Sequence, residues 1–329
     1  MQKELKRVGT HNGRFHADET MATAILQEIF DIELVRTRDM EVLKTLDLIY
    51  DVGDGEFDHH QVDKEYRETG VPYAACGLIW RKFGRDVIRF REPSLEEDAV
   101  EYIFQHIDAM LMEGIDASDN GMRTGSVVVP LMNIPSIIAE FNPPWDSEKL
   151  EDEAFMDAVK VASALLNNML NQQLSIIKAR KYVFDAYKNR PRPELLVLER
   201  SYPWTQALSE IDVENEVLFV IYPRDNQYLI QTIRRNDGMR GDRKKLPEAW
   251  AGKRDEELGN VIGIDDAIFC HSARFIAGAG SMESIMKMAD IAIAEPEEVI
   301  EEVREAAPVQ GFVSALKEFL LKKSISIKR

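Results

Sequence analysis

From residue 5 to residue 112 the chain alternates short apolar runs with amphipathic stretches, and this alternation leaves few folds open to it. Leu5 to Thr10 reads as a strand. From Asp18 to Phe30, the residues Met21, Ala22, Ala24, Ile25, Leu26 and Ile29 fall on one helical face. Ile32 to Thr37 and Leu46 to Val52 read as a second and a third strand. Helices are expected over Ala74 to Phe83 and from Ser94 to about Met112, with Ser94 as N-cap and Glu97 three residues later. Strands that alternate with helices in this way build a parallel, doubly wound α/β sheet. Ligands of such sheets gather beyond the C-terminal ends of the strands. His11 and Asp51 both fall at such ends, so two polar clusters about 40 residues apart can converge.

The later chain reads differently. Residues 126–145, with Pro130, Pro135, Pro143 and Pro144, are expected to be an irregular connection. Residues 147–188 read as one long helix, with a stripe of Phe155, Val159, Ala162, Leu165, Leu166, Met169 and Leu174. Leu195 to Leu198, Val217 to Tyr222, Tyr228 to Ile233 and Ala267 to His271 are β-like, and Gly278-Ala279-Gly280 precedes a helix at about Ser281 to Ala289. The expected organisation is an N-terminal domain over 1–145, a connecting helix over 146–190 and a smaller C-terminal α/β domain over 191–329.

The length of 329 residues, with 45% hydrophobic and 30% charged, allows one large domain or two medium ones. A formal net charge of -17 argues against a general nucleic-acid binder, so a nucleic-acid substrate must meet a local basic patch. Cys76 and Cys270 lie in separate apolar stretches and read as reduced core residues. No apolar run reaches the roughly 18 residues of a membrane span. The first strand begins almost at once, leaving no room for a signal peptide. Together these features predict a soluble, cytoplasmic protein without a membrane partner, and they leave homo-oligomerisation open.

Four of the six histidines sit in two acidic clusters. One is His11-Asn12-Gly13-Arg14-Phe15-His16-Ala17-Asp18-Glu19. The other is Asp58-His59-His60, reached from Asp51 through a Gly-rich turn. A further carboxylate pair occurs in Asp116-Ala117-Ser118-Asp119-Asn120-Gly121. Two divalent ions about 3.5–4 Å apart need a bridging ligand and several terminal ones. Imidazole with carboxylate suits Mn²⁺ and related ions better than Ca²⁺. No thiolate lies beside these clusters, against a structural zinc site, and the HExxH pattern of a zinc hydrolase is absent.

Asp58-His59-His60, with His11 to Asp18 before it and Asp51 between, resembles the DHH phosphoesterase superfamily. The longer strings His11-Asn12-Gly13, Phe15-His16-Ala17-Asp18-Glu19, Phe57-Asp58-His59-His60-Gln61, Ile115-Asp116-Ala117, Asp119-Asn120-Gly121 and Leu246-Pro247-Glu248-Ala249-Trp250-Ala251-Gly252 are similar to the melanocyte-proliferating-gene exonuclease family. The resemblance implies a DHH-type catalytic domain, a C-terminal substrate domain and a metal-dependent hydrolase. The implied enzyme is a 3′–5′ exonuclease or oligoribonuclease that cleaves short single-stranded RNA, or another phosphoester, with two divalent metal ions. It further implies that His11, His16 and Asp51 hold one metal. Asp18, Asp51, His59 and either Asp116 or Asp119 would hold the other. Asp58 would orient His59, and His60 would face the substrate as the catalytic imidazole. Many DHH enzymes carry Asp where this chain has His16; imidazole there favours Mn²⁺, with Mg²⁺ as the alternative.

In the C-terminal segment, residues 234–254 are locally basic, including Arg234, Arg235, Arg240, Arg243 and Lys244. His271 and Arg274 are expected phosphate contacts, and Gly278 and Gly280 are expected to let backbone N–H groups approach a phosphate at the following helix. Trp204 and Trp250 read as packing residues rather than base-stacking platforms. The competing functions are a small-molecule phosphatase or pyrophosphatase, and a non-catalytic metal-binding scaffold that kept the fold.

Overall fold

The computed structural model describes residues 3–122, 131–235 and 241–296. The chain forms two compact units, Met1–Leu174 and Ser175–Arg329.

The first unit is built on the parallel sheet foreseen from the alternation. Strand β1 (Glu4–Thr10) leads into helix α1 (Ala17–Ile29), which crosses back to β2 (Phe30–Arg36). A short helix α2 (Met40–Leu43) precedes β3 (Leu48–Ile49). The order is β2-β1-β3, and both pairings are parallel. The chain therefore moves outward from β1 to β2 and then crosses back past β1 to β3, a reversal that places a crevice at the C-terminal ends of β1 and β3. β3 is shorter than expected because Asp51 adopts a left-handed conformation, φ 56°, that no strand can continue. The pairing persists irregularly to Tyr50, whose N–H donates to the Gly9 carbonyl at 3.0 Å. His11 and Asp51 thus leave neighbouring strands side by side.

The helices depart from their expected limits in informative ways. α3 (Ala75–Arg91) runs two turns past Phe83. Ser94 does not cap the next helix; its hydroxyl donates to Glu92, and α4 (Glu97–Ile107) starts from Glu96. The helical path then continues through a π turn, Asp108–Met112, into α5 (Glu113–Asp119). Asp116 and Asp119 therefore lie on a helix, three residues apart, and not in a loop after one. Within the expected irregular connection, α6 (Ile134–Ala139) forms because Pro135 occupies the first helical turn, where its missing N–H costs nothing, and Asn133 caps Ser136 at 3.0 Å. Pro130 lies outside the described residues. α7 (Glu151–Lys188) is the long helix, and the division between the two units falls inside it.

The second unit carries a five-stranded mixed sheet. Its elements are β4 (Leu195–Val197), α8 (Thr205–Ile211), β5 (Phe219–Arg224), β6 (Gln227–Thr232), α9 (Asp255–Ile262), β7 (Ala267–Cys270), β8 (Ile276–Ala279) and α10 (Met282–Ala294). The order is β4-β5-β6-β8-β7, parallel only between β4 and β5. The two-residue period of the strands separates two apolar layers: Leu195, Phe219 and Ile221 on one face, Leu196, Val220 and Tyr222 on the other. Trp250 belongs to the first layer and Trp204 to the second, so both are packing residues. Both cysteines are buried and free. Among the described residues, no helix is long and apolar enough to cross a membrane.

The expected phosphate loop at Gly278 and Gly280 is corrected by this sheet. Gly278 lies within β8, paired with Leu229 on one side and Phe269 on the other. A Cβ there would stand 2.9 Å from the Phe269 ring, so packing accounts for the glycine. The Gly280 N–H donates to the Asp266 carbonyl at 2.9 Å and is not open to a ligand.

In the first unit, Gly77 has a comparable packing duty. A Cβ on it would meet Oδ2 of buried Asp116 at 2.1 Å, whereas one on exposed helical Gly114 would meet nothing within 4 Å. Gly77→Ala is expected to destabilise by about 1–3 kcal/mol through overpacking. Gly114→Ala should stabilise by about 0.5–1 kcal/mol through helix propensity. Urea unfolding of both variants checks this; equal stability of the two would contradict the close approach.

Candidate metal centre

Three segments deliver the polar side chains to the crevice. The first is the loop from His11 to His16 with the start of α1 that follows it, which carries Asp18 and Glu19. Phe15 anchors it in the core, edge-on to Phe155 with centroids 5.4 Å apart. Asn142 fastens the Phe15 backbone with two hydrogen bonds, 2.9 Å from its N–H and 2.8 Å to its carbonyl. The second segment is the turn from Asp51 to His60. Here Asp58 accepts the Asp54 N–H at 2.7 Å and closes the turn. The third is α5, which carries Asp116 and Asp119.

Together they line a cleft of about 1000 Å³ that includes His11, His16, Asp18, Asp51, His59 and Asp119. His11 Nε2 stands 3.1 Å from Glu19 Oε1 and 3.3 Å from Asp51 Oδ2. His59 Nδ1 faces Asp51 Oδ1 at 3.4 Å and Asp18 Oδ2 at 3.8 Å, while its Nε2 lies 2.9 Å from Asp119 Oδ2. The two oxygens of Asp51 therefore face different histidines. His16 is more open, with Nδ1 3.8 Å from Asp119 Oδ1. Donor atoms close enough to share an ion fall into the sets His11, His16, Glu19; Asp51, Asp58, His59, His60; Asp18, His59, Asp119; and Asp18, Cys76, Asp116.

Burying this many carboxylates is costly, several kcal/mol per ion even after relaxation. Part of the compensation comes from the start of α3. Asp18 accepts the Ala75 N–H at 2.9 Å and the Cys76 N–H at 2.7 Å, and Asp116 accepts the Gly77 N–H at 3.1 Å. These are charge-assisted bonds to the positive end of a helix dipole. Arg67 adds a second source, donating to Asp116 through Nε at 3.0 Å and Nη2 at 2.6 Å, and to Asp108. Burial still pushes the Asp116 carboxyl up to about 6 against the pull of Arg67. Asp18 is raised well above the carboxylate range by burial and by the charges of Asp51, Asp119 and Asp116. The cluster holds more negative charge than its surroundings neutralise.

Within this cluster, three buried atoms have no hydrogen-bond partner among the described residues: Glu19 Oε2, Asp51 Oδ1 and His59 Nδ1. Buried polar atoms are rarely left so, and an ion is one standard reason. All three are good donors to a divalent cation. His11 fits as well: its Nδ1 meets the Asn12 carbonyl at 3.1 Å, an arrangement that holds the ring with Nε2 toward the carboxylates, as in metal-bound histidines. The residues present thus fit a centre for divalent metal.

Several expected roles change. Asp116 does not line the cleft; Arg67 and Gly77 occupy its oxygens, and Asp119 is the α5 carboxylate that reaches His59. Asp58 orients His60 and not His59, for its Oδ1 meets His60 Nδ1 at 2.7 Å and accepts the His60 N–H at 3.2 Å. Burial would raise Asp58, but these bonds hold it below the usual carboxylate range. His60 is exposed to the cleft and stacked on His59, centroids 4.3 Å apart. Sequence reasoning assigned no role to Glu19, which is fully buried beside His11. A second acid directly after Asp18, at the head of a helix rich in apolar residues, was the available signal.

In the second unit, His271 and Arg274 occupy the turn between β7 and β8. The His271 Nδ1 accepts the Ala273 N–H at 3.0 Å, which leaves Nε2 as an outward donor. Arg274 has φ 61°, and its carbonyl accepts the Leu246 N–H at 3.0 Å, so the two sequence strings around Leu246 and His271 are hydrogen-bonded to each other. Of the basic segment, Arg240 lies outside the described residues, and Arg243 is spent on buried Asp212.

Residues 7–293 match a family profile described as "Uncharacterised protein family (UPF0160)", which carries the MYG1 exonuclease name. A MYG1 protein of Schizosaccharomyces pombe is 31% identical over 322 residues, which span 89% of this chain and 99% of the relative. The MYG1 exonuclease of Homo sapiens is 33% identical over 326 residues, 88% of this chain and 86% of the relative. That of Mus musculus is 32% identical over 326 residues, 88% of this chain and 85% of the relative.

Metal binding should release protons. Burial disfavours charge on His11, but hydrogen bonds to Asp51 and Glu19 outweigh it and push the imidazole up to about 10. The metal-free ring is therefore protonated at pH 7, and a metal must displace that proton. Apparent affinity for Mn²⁺ should rise by about tenfold per pH unit from this group as pH climbs toward its pKa. Calorimetry at pH 7.5 in two buffers of different ionisation enthalpy measures the release; none would exclude His11 as a ligand.

Proposed function

Because the chain belongs to the MYG1 exonuclease family, we propose that it is a metal-dependent phosphodiesterase, an exonuclease acting 3′ to 5′ on short single-stranded RNA. The observation that carries this reading is the convergence of imidazoles and carboxylates in one cleft, with Glu19 Oε2, Asp51 Oδ1 and His59 Nδ1 buried and unpartnered. Two divalent ions, Mn²⁺ in preference to Mg²⁺, would supply an activated water and stabilise charge on the attacking and leaving oxygens.

His11, His16 and Glu19 would hold one ion, and Asp18, His59 and Asp119 the other. Asp51 would join both sets, since Oδ2 faces His11 and Oδ1 faces His59. Asp116 and Arg67 act one layer behind, fixing the start of α3 against which Asp18 is held. His60 is the catalytic side chain of this reading. With Nδ1 tied to Asp58, its Nε2 is presented to the cleft, where it would hold a proton for the leaving oxygen. The bonds from His60 and the Asp54 N–H lower the Asp58 pKa, which keeps the carboxylate ionised as the acceptor that orients the ring. His271 and Arg274 are the proposed phosphate contacts of the second unit.

Protein stripped of metal should cleave a short RNA only after Mn²⁺ is restored, and Asp51→Ala should lose both metal and activity. His60→Ala should keep its metal and lose about a hundredfold or more in kcat, the scale of general acid catalysis. Activity toward a short RNA and pyrophosphate separates the nuclease from a small-molecule phosphatase. Absence of Mn²⁺-dependent cleavage of any phosphoester would overturn the reading.

A further inference from the structure

Three cations line the cleft without belonging to its acidic cluster: Arg14, Arg38 and Lys64. Among the described residues none of them makes an ion pair with a carboxylate, although carboxylates surround them. Their placement is uneven. Arg38 donates through Nη1 to the Asn12 carbonyl and to Asn12 Oδ1 at 3.2 Å. The same carbonyl meets His11 Nδ1, so Arg38 is moored at the His11 end of the cluster. Its Nη1 lies 3.7 Å from where a Cβ of Gly13 would stand, and Arg14 is the next residue on that loop. Lys64 is at the other end, with Nζ donating at 2.6 Å to Oδ1 of Asn120, the residue after Asp119.

Two exposed guanidinium groups at one end of an acidic cleft, with most of their donors unused, make a receptor for a dianionic or monoanionic oxygen group. The cleft volume of about 1000 Å³ exceeds what a single phosphate fills. Building on the exonuclease reading above, we propose that Arg14 and Arg38 hold the phosphate next to the scissile one, so that the substrate strand leaves the metal centre across the His11–Arg14 loop. A substrate with a neighbouring phosphate is then favoured over one whose only phosphate is the one cut. Lys64, a single cation already engaged by Asn120, lies off this path.

The test compares a 5′-phosphorylated diribonucleotide with the same dinucleotide lacking the 5′-phosphate, under Mn²⁺. Wild-type protein should favour the phosphorylated form at least tenfold in kcat/KM. Arg14→Ala/Arg38→Ala should abolish most of that preference through KM, while Lys64→Ala retains it. Removing one phosphate contact should also flatten the dependence of log(kcat/KM) on log salt by about 0.7 for the phosphorylated substrate. No preference in the wild type, including failure to cleave either dinucleotide while other phosphodiesters are hydrolysed, would overturn the proposal. So would a preference that survives in the double arginine variant or is lost in Lys64→Ala. A wild-type protein that hydrolyses no phosphodiester would instead defeat the exonuclease reading, and the phosphate contact with it.

Discussion

Asp51 concentrates the electrostatic problem that the first unit is built around. It is buried, its backbone is left-handed, and one of its oxygens has no hydrogen-bond partner. A non-glycine residue held in that backbone region costs on the order of 1–3 kcal/mol and persists only where its surroundings over-determine it. Here the surroundings are two parallel strands that fix His11 and Asp51 as neighbours, and a turn closed by Asp58. Around this point Asp18, Glu19 and Asp119 add negative charge that Arg67 and the amides of α3 offset only in part. Each surviving charge-assisted bond contributes about 1.5–3 kcal/mol, less than the desolvation of a full carboxylate. Divalent cations would remove the imbalance; in the protein itself the neighbouring carboxylates hold His11 and His59 above the usual imidazole range, and burial raises Asp18.

Much of this was legible in the chain itself. The alternation of strands and helices placed His11 and Asp51 at strand ends, and local chemistry did the rest, because residues two to eight apart on one loop or helix end have little freedom to separate. The points that the sequence left open and those that it misread share a cause. Asp116 and Asp119 are equivalent as letters, and it is Arg67 and the Gly77 N–H, both distant in sequence, that make Asp116 a structural anion. Asp58 precedes two histidines, and the turn geometry selects His60. Ser94 has the right neighbour for a capping box, yet it bonds Glu92.

The glycines illustrate the same limit. Gly278 and Gly280 stand before a helix in the pattern of a phosphate loop, but tertiary pairing places the first inside a strand and gives the second an internal acceptor. Gly77 attracted no notice in the sequence, and it is a position where a Cβ would collide with the Asp116 carboxylate. A glycine reports that something approaches; the sequence alone does not say whether it is a ligand, a ring or a carboxylate.

The shared role of Asp51 is the claim on which the functional account stands, and anomalous diffraction from crystals grown with Mn²⁺ measures it directly. The account predicts two peaks in the cleft about 3.5–4 Å apart, with one Asp51 oxygen on each. A cleft without peaks, or a single peak that Asp51 does not touch, would contradict it.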